Sequence, residues 1–244
     1  MSDDTTAIVI AVASPKGGCG KTTLSALLAG EFAALGHKVT IIDADPQDSI
    51  VSWAHESRKA GHPLTNITVV NASAGASSLV ERQSNIVSSI RSNDDADIII
   101  IDVQGTAEAV MAAGLGHADL ILSPTRAHRM DVNQTKQMAS FLQDAKITAP
   151  FRVVLNAVSA TGGNSEAAQV ALALLNNAGL PVLSTALWDR PTFGTILSHK
   201  GTLYEQAATG DNLPAPKISQ AVESARNNSR ALCAEIISVI NEGR

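Results

Sequence analysis

An apolar strand, a glycine-rich turn and an apolar helix follow one another without a break at the start of this chain, and few folds accept that order. Ala7 to Ala13 is a near-continuous apolar run, the mark of a strand buried on both faces. Ser14-Pro-Lys-Gly-Gly-Cys-Gly-Lys-Thr-Thr23 comes next. Leu24, Leu27, Leu28, Phe32 and Leu35 then recur at helical spacing until Gly36 ends the pattern. Between strand and helix, Gly17, Gly18 and Gly20 let the backbone close into a nest whose N–H groups converge on an anion. The helix that begins near Lys21 adds its positive end. The pattern G-x-x-x-x-G-K-[ST] is met at Gly20, Lys21 and Thr22, with Pro15 where its first glycine would stand. The stretch reads as a phosphate-binding loop for a nucleoside triphosphate, lined by Gly17, Gly18, Cys19, Gly20, Lys21, Thr22 and Thr23. Lys21 is expected to reach the β and γ phosphates, and the Thr22 hydroxyl to hold Mg²⁺. Lys16 is a second lysine that such a loop does not need for its own nucleotide.

The rest of the chain alternates in the same way. Lys38 to Asp43 reads as a strand, Gln47 to Ala60 as a helix closed by Gly61 and Pro63, and Ile67 to Val70 as a strand. Ala76 to Arg91 has helical spacing, and Asp97 to Asp102 and Ala118 to Leu122 read as buried strands. Asp131 and Gln134 suggest a capping box opening a helix to about Ala145. Phe151 to Asn156 and Val182 to Leu187 read as the last two strands. Ile218 to Ile240 forms a closing helix after a loop over 210–216. With no internal repeat and no linker, the economical architecture is a single domain over 1–244. It is α/β, with a doubly wound, mostly parallel sheet and helices on both faces. The length of 244 residues suits it, and aromatics at 3% leave Ala, Val, Leu and Ile to fill the core.

Two acidic strand ends fall where such sheets bind ligands, beyond the carboxyl ends of the strands. Asp102 ends a run of four isoleucines and is expected to order the Mg²⁺ shell with Thr22, through water. Asp43 and Asp45 alternate onto one side of the Asp43-Ala-Asp-Pro-Gln47 turn, so both could face the γ-phosphate. One carboxylate near the metal and one orienting the attacking water would suit hydrolysis.

Lys16-Gly-Gly-Cys-Gly-Lys-Thr-Thr23, Asp43-Ala-Asp-Pro-Gln47 and Ile98-Ile-Ile-Ile-Asp102 together resemble the ParA/MinD superfamily of deviant phosphate-loop (P-loop) NTPases. The D-x-D-P-Q form is most similar to ParA-type partition ATPases. Leu187-Trp-Asp-Arg190 with Phe193, then Gly201-Thr-Leu-Tyr-Glu205, extend the likeness over most of the chain. The resemblance implies a homodimer closed around two ATP molecules. Lys16 would cross to the partner's phosphates, and Lys21 would act on its own. Asp45 would position water, Asp43 would sit in the first switch, and Asn156 is similar to the family's adenine-contacting residue. It also implies non-specific DNA binding in the ATP state, a ParB-type centromere-binding partner that stimulates slow hydrolysis, and a cytoplasmic, nucleoid- or plasmid-associated protein.

One departure qualifies the biological process. Partition ATPases carry D-x-P-P, whereas this chain has Asp102-Val-Gln-Gly105. Gln104 to Ala107, Pro124-Thr-Arg126 and Asp131 are similar to a VirC-like branch instead. That branch implies a relaxase-type partner and conjugative DNA transfer; Gln104 is open between a water-orienting and a turn role.

Composition bounds the partners. Net charge is −5, which argues against coating nucleic acid with the whole surface and leaves room for a local basic patch. Arg190, Lys200, Lys217, Arg226 and Arg230 form the late basic cluster, with Arg126, His128 and Arg129 as a second on the nucleotide side. Cys19 and Cys233 lack metal-ligand spacing, so neither an iron–sulfur bridge nor a redox pair is expected. Apolar runs are too short to span a bilayer, the last helix is charge-balanced, and the N-terminus is acidic. No membrane partner and no signal peptide are expected. The first strand begins at Ala7, so no N-terminal helix-turn-helix is expected either.

Overall fold

The computed structural model describes residues 7–93, 95–103, 108–159, 166–198, 201–206 and 215–243. Its centre is a sheet of six strands, all parallel, in the order β3-β2-β4-β1-β5-β6. The strands are β1 (Ile8–Val12), β2 (Val39–Asp43), β3 (Ile67–Asn71), β4 (Ile98–Asp102), β5 (Leu120–Arg126) and β6 (Phe151–Asn156). Every residue of β2 and β4 is buried, as suits apolar strands (broken only by Thr40 and the terminal acids) with helices over both faces.

Alternation along the strands sorts the core into two layers. Ile10, Val12, Ile41, Ile98, Ile100 and Leu122 point to one face, where they meet α1 (Lys21–Ala34), α2 (Ser49–Lys59) and α9 (Ala215–Glu242). Val9, Ala11, Ile42, Ile99, Ile101 and Ile121 point to the other, against α3 (Leu79–Arg91), α4 (Glu108–Leu115) and α5 (Arg129–Asp144). A smaller cluster packs α6 (Glu166–Asn177) on β6 through Val153, Leu155, Ala171 and Leu175. α1 is buried on nearly every side because the sheet lies beneath it and α9 above. α4 and α6 have no counterpart among the expected helices.

The expected strand over 182–187 does not form. Val182 bridges to Val153 of β6, Trp188 bridges to Val158 just past β6, and the Leu183 and Leu187 amides donate to the Val153 and Leu155 carbonyls without a continuous ladder. In between, α9 takes the backbone. The Ser184 and Thr185 amides donate to Glu235 at 2.6 and 2.8 Å, and Asn228 pairs with the Trp188 amide and the Ala186 carbonyl. Side chains of a helix thus satisfy backbone groups that no neighbouring strand reaches. Two short helices follow, α7 (Pro191–Gly194) and α8 (Leu203–Gln206).

The capping box at Asp131 is also corrected. The cap lies three residues earlier, at His128, whose Nδ1 accepts from the Met130 amide. Asp131 lies inside the first turn and faces inward, 3% exposed. Among the described residues no helix is long and apolar enough to cross a membrane.

Candidate functional site

β1 delivers the phosphate loop between its two sheet neighbours. Val12 is in register with Asp102, and Asp43 is in register with Asp102 across the β2–β4 pair. The loop, Asp102 and the Asp43–Asp45 turn therefore converge at three adjacent strand ends, as their places in the sequence predict.

Gly20 caps α1 in the left-handed region, φ 102°, and a Cβ there would collide with Asn156 Nδ2. Gly18 is also left-handed, φ 74°. Asn156, at the end of β6, donates through Nδ2 to the Cys19 carbonyl at 2.7 Å, and its Oδ1 accepts from the Ala157 amide. It thus braces the loop. Cys19 is buried and its Sγ lies 3.4 Å from the Lys16 carbonyl. Lys21 Nζ donates to that same carbonyl at 3.0 Å. Lys16 Nζ is ion-paired with Asp131 of α5. Both lysines of the loop are therefore held by groups of this chain.

Asp102 is a buried acid at the end of β4. Burial pushes its carboxyl up to about 7, helped by the charges of Asp43 and Asp45; the Thr22 hydroxyl bond and nearby Lys21 act the other way. Its Oδ1 is buried with no hydrogen-bond partner. A buried carboxylate oxygen without a donor, beside a threonine hydroxyl, fits a hard divalent cation. Among the described residues no group of three or more His, Cys, Asp or Glu forms a metal cage. An ion here would draw on phosphate and water for its remaining ligands, as Mg²⁺ does.

Asp43 and Asp45 divide their roles. Asp43 is 1% exposed, and its Oδ2 accepts from the amides of Ile50 and Val51 while Oδ1 accepts from the Asp45 amide. Burial raises its pKa against those three bonds. It therefore ties down the start of α2, where Asp48 (φ 50°) makes no side-chain cap. Asp45 stays half-buried on the rim, with Oδ1 accepting from the Gln47 amide. The two acids differ in burial and in partners, and the charges of both reach Asp102.

Other expected groups are dispersed. Arg226 is spent on the fold: its guanidinium donates to the carbonyls of Leu203 and Tyr204 and stacks 4.5 Å from the Tyr204 ring centre. Arg230 is exposed, as are Arg126, His128 and Arg129. Gln104 to Ala107 and Lys200 lie outside the described residues, as does the side chain of Lys217. A cavity of about 500 Å³ lies at the opposite end of the sheet, by Leu115, Asp119, Ile147 and Ile240. Its one acid, Asp119, is bonded to the Val9 amide, and the cavity has no part in the site.

A parallel sheet with a phosphate loop after a central strand and an acid at the end of the next is the build of a phosphate-loop nucleotide-binding protein. The chain belongs to the CobQ/CobB/MinD/ParA nucleotide binding domain family, whose model matches residues 10–202. It is 28% identical over 239 residues to the protein ParA of Rhizobium radiobacter, covering 95% of this chain and 99% of that one. It is 24% identical over 220 residues to the chromosome-partitioning ATPase Soj of Thermus thermophilus, covering 79% and 88%. The ATP complex of a Cyanothece McdA variant has the same fold, with TM-score 0.64 and 18% identity, covering 91% and 96%.

Proposed function

We propose that this chain is a Mg²⁺-dependent ATPase of the partition type, acting as a homodimer closed around two ATP molecules. The convergence of the loop, Asp102 with its unbonded Oδ1, and the Asp45-bearing turn on three adjacent strand ends carries the reading. Amides of Gly17 to Thr23 receive the phosphates, and Lys21 turns from the Lys16 carbonyl to the outer ones. Thr22 and Asp102 hold Mg²⁺, which supplies charge neutralisation on the phosphates. Asp45, on the rim, orients the attacking water, while Asp43 keeps the turn and α2 in place. Asn156 stands at the loop's edge, where a base contact belongs. Lys16 completes the partner's site from across the interface, and 1–244 acts as one domain.

In the ATP state the dimer retains DNA through exposed basic groups such as Arg230, and a ParB-type partner stimulates release. Such a protein would work in the cytoplasm on nucleoid or plasmid. Lys16→Gln should abolish the ATP-dependent dimer in light scattering and lower turnover by about 10³-fold. Asp45→Ala should keep the dimer, lose turnover, and stay on duplex DNA of arbitrary sequence until salt is raised. A K16Q protein that dimerises with ATP and hydrolyses it normally would sink the reading.

A further inference from the structure

The structure also shows what holds Lys16 within its own chain. Its Nζ donates to Asp131 in the first turn of α5. The lysine side chain is 42% exposed and the acid 3%, so the acid is fixed in the fold and the lysine is the movable half. Asp131 sits at the amino end of a 16-residue helix, whose positive end supports a carboxylate whether or not the lysine stays. The backbone of Lys16 is held as well. Its amide donates to Ser14 Oγ at 3.4 Å and its carbonyl accepts from Lys21 Nζ. The loop's two lysines thus form a chain: Lys21 on the Lys16 carbonyl, and Lys16 on Asp131.

We propose that Asp131 is a positioning residue that keeps Lys16 in cis and so sets the threshold for pairing with a second copy of this chain. The proposal rests on the reading of Lys16 as an intermolecular lysine. One ammonium cannot sit on Asp131 and reach across an interface at once. Lys21 cannot serve a phosphate while it is bonded to the Lys16 carbonyl, and its departure removes one of the bonds fixing residue 16. Phosphate binding therefore loosens the residue whose side chain must next leave Asp131. Because both copies must release Lys16, apparent dimer affinity is the intrinsic affinity scaled by the square of the released fraction. Because the lysine is partly exposed, the hold is modest and acts as a threshold rather than a block.

Asp131→Asn removes the charge and keeps the side chain's size. With Mg²⁺ and ATPγS, D131N should reach half-dimer in sedimentation velocity at about five- to tenfold lower protein concentration than the wild type. Asp131→Glu, which retains the charge, should return toward wild type. In the absence of nucleotide, acetylation of Lys16 by an N-hydroxysuccinimide ester should be faster in D131N by peptide mass spectrometry. The exposed Lys59 serves as the unchanged reference. Equal acetylation, or a D131N dimer no tighter than a wild-type dimer that forms normally, overturns this proposal alone. A wild type that stays monomeric with ATPγS overturns the dimer reading and this proposal with it.

Discussion

Gly20 shows how one position can be set by two independent constraints. Its φ of 102° costs any residue with a Cβ roughly 1–2 kcal/mol, and the Cβ would also meet the Asn156 amide. Gly17 has neither constraint: no atom lies within 4 Å of its Cβ position and its φ is not left-handed. Gly20→Ala should therefore lower unfolding free energy by about 2–4 kcal/mol in urea titrations. Gly17→Ala should stay within about 0.5 kcal/mol of wild type, so any loss of nucleotide binding in it reports phosphate approach rather than folding. Adding Asn156→Ala to the Gly20 variant should recover the steric part and leave the backbone part. The loop was legible in sequence because its glycines, lysine and threonine lie within ten residues. The Lys16–Asp131 pair was not, since it joins residues 115 apart. A local reading of Asp131 could only see the helix it lies in.

At the scale of elements, β1, β2 and β4 read plainly because strands buried on both faces need near-continuous apolar runs. The acidic ends of β2 and β4 read just as plainly. The segment 182–187 carries the same local signal and fails, because a strand is decided by what its backbone can reach. Leu183 and Leu187 reach successive β6 carbonyls two residues apart while lying four apart themselves, so no register holds. Instead α9 offers Glu235 and Asn228 to the amides of Ser184, Thr185 and Trp188. Burial pushes the Glu235 carboxyl up, but the bonds from Thr185 and Ser184 outweigh it and hold it below its ordinary value. Glu235→Ala should leave two amides without partners and cost about 1–3 kcal/mol. Hydrogen exchange at Ser184 and Thr185 should rise with it, while exchange in β6 stays slow. Protection retained at those two amides would show that another group replaces the carboxylate.

At the scale of the whole molecule, the helix that begins in the phosphate loop is gripped at its far end by the chain's last helix. Glu31 of α1, 3% exposed, accepts from Tyr204 of α8 at 2.8 Å and from Ser229 of α9. Cys233, one turn further along α9, is 1% exposed beside it. Burial, with the charge of Glu31, pushes the Cys233 thiol up from 9.0 to about 12. The folded chain thus keeps a proton that the unfolded chain releases. The sign follows: stability is fully present below pH 9 and falls as pH rises toward 12, by at most about 1.4 kcal/mol per unit for this group. Tyr204, also raised by burial, adds a second slope of the same sign above pH 10. Urea unfolding from pH 8 to 11 should show the decline. Cys233→Ala should flatten it between pH 9 and 10 whatever its effect on the midpoint, and Tyr204→Phe should remove what remains above. An undiminished slope in the double variant would place the alkaline sensitivity outside the α1–α9 grip.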